Sequence, residues 1–380
     1  MKTSIVSLGL FKHAGGPSKT IDAFKLALDA ELYAFCKSST LRKYQLSVKD
    51  VHRVVSSSFP LLSHFCYPKR GVKEAEEVVR QSDLVSCHGF YRYHTLWTQR
   101  ICKAAGIPYW FVPHGILDPW VMKKNRLVKQ LYWRFGGHQF LQRASTVIFS
   151  TTTERDKAAS QFDLPGAEVV PWPVELVDIT LQDEKRVQIR KKLGIPKGAH
   201  ILLYFGRVHS MKRPFETIEA LAHAKTSNTH LLIVGNEDDI TKDECIQIAR
   251  KYGIEKRVHW IGSVYGDNKY HYMHAADAYI SLSYRENFNH TAAESLAAGL
   301  PVILSPGNDL RSELSDVKCC LKIEDETLQS AIKAIQNFNN LDLSELQEMG
   351  MRGRKWVEGN LSFDLFKRRL IQLHEKYAKK

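Results

Sequence analysis

Short runs of consecutive apolar residues recur along the chain, each trailed by a stretch whose apolar positions return every three or four residues. In the first half, Ile5-Val6-Ser7-Leu8 precedes a helical pattern near residues 18–34. Leu84-Val85-Ser86 precedes one at 95–105, Tyr109-Trp110-Phe111-Val112 follows, and Val147-Ile148-Phe149 leads into 153–160. In the second half, Ile201-Leu202-Leu203-Tyr204-Phe205 precedes a helix at 214–225, and Leu231-Leu232-Ile233-Val234 precedes one at 243–252. Apolar runs at 258–261, 279–282 and 302–304 continue the series. Continuous apolar strands separated by helices predict parallel sheets covered on both faces. Two such series, divided around the proline-containing stretch 165–173, predict an α/β fold of two doubly wound, Rossmann-like domains. A charged connecting helix over 176–196 would open the second domain.

Composition narrows the class. With 380 residues, 44% of them apolar and 25% charged, disorder, collagen and coiled coil are excluded, and the length suits two domains. No apolar run approaches the roughly 18 residues of a membrane span, and Met1 to Phe11 reads as a first strand, not a signal peptide. The seven cysteines, at 36, 66, 87, 102, 245, 319 and 320, form no C-x-x-C pair. They predict reduced thiols and a cytoplasmic setting. Charge is uneven. Residues 1–172 carry 24 Lys and Arg against 13 Asp and Glu, and so hold most of the chain's net +13. Such asymmetry points to a nucleic acid, an anionic membrane surface or an acidic substrate near one domain, or to a basic surface kept for solubility.

Doubly wound domains place ligands at the C-terminal ends of their strands. No G-x-G-x-x-G follows a strand and no P-loop occurs, which weakens dehydrogenase and ATPase readings. Gly15-Gly16-Pro17-Ser18 follows the first strand and opens a helix, with Ser18 as a candidate cap. Its backbone could approach a phosphate, although Gly-Gly-Pro is also an ordinary turn. Gly206-Arg207 ends a strand and Lys212 follows five residues later. That loop suits a diphosphate, or is simply a solvated basic loop. Glu286 and Glu294 stand eight apart, ~80° around a helix, so a shared helical face is poor. The better picture puts Glu286 in a loop and Glu294 one turn into the helix closed by Ala298-Gly299 before Pro301. His114-Gly115 ends a first-domain strand, where the histidine either reaches a ligand or is structural; His88-Gly89 repeats the arrangement one strand earlier. None of the 16 histidines has zincin spacing, so no metal site is expected.

Taken in order, Gly15-Gly16, His114-Gly115 before Leu117-Asp118-Pro119-Trp120, Gly206-Arg207 with Lys212, and Leu232 to Gly235 resemble one family. So do Val258 to Gly262, Ala276-Asp277, Leu282-Ser283, Glu286-Asn287-Phe288 through Glu294, and Ala297-Ala298-Gly299-Leu300-Pro301-Val302. The set resembles glycosyltransferase family 4, retaining enzymes of GT-B fold, of the type that builds bacterial surface polysaccharide. The resemblance implies two Rossmann-like domains facing across a cleft, residues 1–172 for the acceptor and 173–364 for a nucleotide sugar. A last helix, 365–380, would return to the first domain. It also implies roles. Arg207 and Lys212 would hold the diphosphate with the backbone of Gly15 and Gly16, and Glu294 would accept the ribose hydroxyls. Ile261, Gly262, Ser263 and Val264 would line the base. Glu286 would bind sugar hydroxyls, the amides of Asn287, Phe288, Asn289, His290 and Thr291 would serve sugar and phosphate, and His114 would point at the transferred sugar. No metal or other cofactor is implied, because Arg, Lys and a helix terminus would stabilise the leaving diphosphate.

Two departures stand out. Asn289 and His290 occupy places where the family usually has glycine and an aliphatic residue, and Asn289 could act as an N-cap. Arg213-Pro214 after Lys212 replaces the common glycine. The expected activity is retaining transfer of a hexose, most simply glucose, from a UDP-sugar to a glycan or lipid-linked glycan. The rivals are a non-catalytic nucleotide-sugar-binding protein and a basic nucleic-acid-binding protein; the second lacks any recognisable reader module, so no nucleic acid is expected. Lys123, Lys124, Arg126, Lys129 and Arg134 alternate with Leu127, Val128, Leu131, Tyr132 and Trp133, as on an interfacial helix. The last helix adds Lys367, Arg368, Arg369, Lys376, Lys379 and Lys380. Together they raise the expectation of a cytoplasmic enzyme resting on an anionic leaflet; the other reading keeps Trp133 and its neighbours in the core.

Overall fold

Each apolar run seeds a strand in the computed structural model, which describes residues 2–8, 16–37, 51–123, 125–179 and 182–378. The chain divides into two units, Met1–Pro173 with Phe363–Lys380, and Val174–Ser362. The first holds β1 (Thr3–Leu8), β2 (Glu31–Cys36), β3 (Val51–Ser56), β4 (Pro68–Arg70), β5 (Leu84–His88), β6 (Tyr109–Val112), β7 (Thr146–Phe149) and β8 (Ala167–Val169). They form one sheet in the order β4-β3-β2-β1-β5-β6-β7-β8, parallel throughout except for the edge pair β3 and β4. The second unit holds β9 (His200–Phe205), β10 (Thr229–Val234), β11 (Val258–Gly262), β12 (Ala278–Ser281), β13 (Val302–Leu304) and β14 (Cys320–Lys322). Its sheet is wholly parallel, in the order β11-β10-β9-β12-β13-β14. β10 is buried along its whole length, which is why the central strands read as unbroken apolar runs.

Three expectations need correction. The helix expected at 18–34 spans only Gly16–Leu28. Asp29 takes a left-handed φ of 47°, the Ala30 amide bonds back to the Lys25 carbonyl at 3.0 Å, and the chain re-enters the sheet as β2. That six-to-one bond is the usual end of a helix. Ser18 is the third residue of the helix, so it is no cap, and its buried Oγ has no hydrogen-bond partner among the described residues. The charged helix expected at 176–196 spans Gln182–Lys192, stopped by Gly194 at φ 64°. Within the stretch 165–173, β8 pairs in parallel with β7.

The helix Phe363–Tyr377 belongs to the first unit and packs on Gly16–Leu28, with Phe366 and Phe24 at 5.1 Å between ring centroids. Lys376 bonds Glu168 at 2.9 Å. In the second unit Asp277, which the family resemblance quotes without a role, is structural. Its buried carboxylate takes Arg186, Arg190 at 2.6 Å and the Ile201 amide at 2.7 Å. The helix Gln182–Lys192 is thereby tied to the first strand of its sheet. All seven cysteines are free thiols. Among the described residues no helix is long and apolar enough to cross a membrane.

Candidate functional site

In the second unit the strand order turns back on itself between β9 and β12. The loops leaving those two strands part there, which is where open sheets of this kind receive ligands. The β9 loop carries Gly206, Arg207 and Lys212; the β12 loop carries Ser283 and Glu286 to Asn289. Gly206 and Gly235 pack backbone to backbone, since a Cβ on Gly235 would lie 1.7 Å from the Gly206 oxygen. Lys212 folds back over Gly206 and donates to Glu286 Oε1, to which Ser283 Oγ also donates at 3.2 Å. Burial works against the charge on Lys212, but Glu286 and Tyr279 outweigh it and raise its pKa above the ordinary lysine value. The Glu286 backbone is pinned on both sides, its amide to the Gly307 carbonyl at 2.7 Å and its carbonyl to the Asp309 amide at 2.8 Å.

The helix His290–Ala297 begins at this loop. Asn289 is its N-cap, as expected, at φ 51°, and its Oδ1 accepts from the Ala292 amide at 3.2 Å. Its Nδ2 donates to Asn308 Oδ1 at 2.6 Å, within a buried polar cluster that includes Ser281 and Ser305. Phe288 is buried and His290 sits edge-on to it, centroids 5.0 Å apart, so Phe288 can offer a ligand only its backbone. Glu294 lies on the second turn, next to Lys269 Nζ at 2.8 Å. Lys269 comes from the helix Asn268–Ala275 and was not legible from sequence. The two glutamates thus each hold a lysine, at positions flanking the start of one helix.

Arg207 turns elsewhere, to Asp238 on the loop after β10, at 2.6 Å. Its charge still bears on Lys212. Gly262 has φ 84° and its carbonyl accepts from the Gly235 amide at 2.8 Å, so the β10 and β11 ends are locked together. Ile261, Ser263 and Val264 line a cavity of about 670 Å³ with Trp260, Asn268 and Tyr272.

In the first unit, Gly15 lies outside the described residues and Gly16 is the first residue of its helix. His114 follows β6 at φ 53° and Gly115 continues at 76°, two left-handed residues in succession. For histidine that conformation is costly. Buried Glu154 offsets it. One carboxylate oxygen accepts from the Gly115 amide at 2.6 Å, the other from the Ser150 amide at 2.9 Å and hydroxyl at 2.6 Å. The result is a half-buried imidazole held at a strand end. Among the described residues no group of three or more His, Cys, Asp or Glu is placed to hold a metal ion.

Comparison with known proteins decides the family. Residues 185–356 match the glycosyl transferases group 1 family, and residues 29–175 match the glycosyl transferase 4-like domain. The chain is a GT-B glycosyltransferase. This transferase is 24% identical over 327 residues to an alpha-monoglucosyldiacylglycerol synthase of Streptococcus pneumoniae, across 83% of its own length and 74% of the relative's. It is 29% identical over 179 residues to a D-inositol 3-phosphate glycosyltransferase of Actinosynnema mirum, but that match spans 42% of the relative. In fold it resembles the Anabaena HepE structure in complex with UDP and glucose, with a TM-score of 0.76, 16% identity, and coverage of 99% of this chain and 100% of HepE.

Proposed function

We propose that the enzyme transfers a hexose from a UDP-sugar, most simply UDP-glucose, with retention of configuration and without a metal, to a glycan or lipid-linked glycan acceptor of surface or exopolysaccharide synthesis. The observation that carries the donor side is the switch-point cluster. Lys212 with Glu286 and Lys269 with Glu294 flank the start of the His290–Ala297 helix, whose first amides add positive potential. Lys212 and Arg207 take the leaving diphosphate, whose charge grows in the transition state, so their stabilisation acts on turnover. Glu294 accepts the two ribose hydroxyls, and Glu286 reads hydroxyls of the hexose. Ile261 to Val264 take the base, the amides from Asn287 to Thr291 serve sugar and phosphate, and His114 meets the transferred hexose. On this reading the donor oxygen leaving with the diphosphate takes the acceptor's proton as the new bond forms on the same face. The complex of HepE with UDP and glucose supports the choice of nucleotide and sugar by likeness of fold.

The acceptor side rests on a surface of the first unit. On the helix Arg126–Tyr132 and the π-helical turn Trp133–Gly137, Leu127, Val128, Leu131 and Phe135 are 81%, 71%, 59% and 72% exposed, beside exposed Lys123, Arg126 and Arg134. We assign this patch to an anionic membrane surface that presents the acceptor at the inner face of the cell membrane. The donor assignment is tested by thermal shift against UDP, GDP, ADP and their glucose conjugates, then by donor turnover and the anomeric configuration of the product. UDP and UDP-glucose should stabilise the protein most, and the product should be the α-glucoside. Preference for GDP- or ADP-sugars, or an inverted product, overturns it.

A further inference from the structure

Ser86 and His88 are alternate residues of β5 and so share a face of the sheet, where both are fully buried. Ser86 Oγ is 2.9 Å from His88 Nε2, and His88 Nδ1 is 3.0 Å from Nε2 of His114. Two neighbours hold the inner residue: His94 Nε2 donates to the His88 backbone carbonyl at 3.0 Å, and Phe24 packs edge-on to the His88 ring at 4.8 Å. Trp172 backs His114 at 5.8 Å. A hydrogen bond between two ring nitrogens holds one proton, so the two imidazoles cannot choose tautomers independently. The direction follows from donor satisfaction. Were His88 protonated on Nε2, it would donate to Ser86, and the buried Ser86 hydroxyl proton would have no acceptor among the described residues. The arrangement that leaves no donor stranded runs from the Ser86 hydroxyl to His88 Nε2, and from His88 Nδ1–H to His114 Nε2.

We propose that Ser86 and His88 are positioning residues, a buried relay that holds the His114 ring in place as its Nδ1–H tautomer. Burial, and the neighbouring His114 and His94, keep the His88 pKa well below the ordinary histidine value, so His88 serves as a neutral link. With Nε2 occupied as an acceptor, the far edge of His114 is a hydrogen-bond donor. A neutral donor can bind a sugar oxygen without opposing positive charge that develops at the anomeric carbon. The functional part of the inference rests on the assignment of His114 to the transferred hexose; the relay itself does not.

The test separates the two. Long-range proton–nitrogen spectra of protein labelled with ¹⁵N-histidine report each ring's tautomer, and the His114 signals are those missing from His114→Asn. The wild type should show His114 as Nδ1–H. His88→Leu should release it toward the Nε2–H form that an unconstrained imidazole favours, and should lower kcat about tenfold or more while UDP affinity stays within about twofold. Ser86→Ala, a change too small to endanger the fold, should give a mixture of both tautomers. An Nε2–H signal in the wild type, or a His114 signal that neither variant alters, overturns the relay. If the spectra behave as expected but His114→Asn transfers sugar at full rate, the relay stands and the assignment of His114 to the hexose fails.

Discussion

Two glutamates that each grip a lysine should answer differently to mutation, because their proposed partners belong to different parts of the donor. Ribose is common to UDP and UDP-glucose, so Glu294→Gln should weaken both about tenfold or more, the loss of one or two hydrogen bonds to a charged acceptor at about 1.5–3 kcal/mol each. Glu286→Gln should leave UDP affinity unchanged or slightly tighter, since it frees the Lys212 ammonium for the diphosphate, yet should lower kcat/KM for UDP-glucose. Calorimetry with UDP on both variants decides; greater loss in Glu286→Gln means the roles are reversed. At this scale the sequence told only half. Glu286, Glu294 and Lys212 stood in a recognisable order, but Lys269 did not, because its partner is 25 positions away and no local spacing couples a helix-borne lysine to that acid. Glu154 was hidden for the same reason: its work is to hold the Gly115 amide, 39 residues earlier. A buried acid announces that it needs a partner, not which one.

The elements were more legible than their ends. The helix expected at 18–34 takes in Glu31–Ala34 of β2, because a nearly buried strand is a plain apolar run and a buried helix segment looks the same. Only the left-handed turn at Asp29 separates them. The basic amphipathic stretch shows a similar limit. Sequence interleaved Tyr132 and Trp133 with the lysines, but both pack against the core of the first unit. Lys129 bonds the Val121 carbonyl and lies 5.4 Å above the Tyr91 ring, and Lys124 is outside the described residues. What faces outward is another set. The π-helical turn is kinked at Gly136, whose φ of 144° lets it pass Leu96 where a Cβ would come within 2.7 Å, and Phe135 joins Leu127, Val128 and Leu131 on the surface. If these side chains enter a leaflet, the protein should float with vesicles containing phosphatidylglycerol, less so in 0.5 M salt, where screening lengths fall to about 3–5 Å. Leu131→Ser with Phe135→Ser should abolish flotation and leave turnover of UDP-glucose intact. Equal flotation of that variant, or none by the wild type at low salt, would return the patch to a solvated surface and favour a soluble acceptor.

Across the whole molecule, buried and half-buried histidines set an acid limit on stability. Burial lowers His94 to about 4 in the first unit, and lowers His230 and His274 to about 4 in the second. The unfolded chain takes protons on these side chains near pH 6.5, while the folded chain refuses them until about pH 4. Below 6.5 the unfolded state therefore binds more protons, and stability falls as pH falls through that window. For fully buried His94 the loss between pH 7 and pH 5 is about 2 kcal/mol, before most carboxylates titrate. Lys212 works at the other end. Its pKa is raised, so its contribution holds through neutral pH and is lost only as pH rises through that raised value. Scanning calorimetry should show Tm falling by several degrees from pH 7 to pH 5, at about 2–4 °C per kcal/mol for units of this size. His94→Gln keeps a donor where Nε2 reaches the His88 carbonyl but cannot titrate, so it should flatten that slope by about 4–8 °C for the transition to which the first unit contributes. An unchanged slope in His94→Gln would mean that this ring is protonated as readily in the folded chain as in the unfolded one, and that the acid limit is set by other groups.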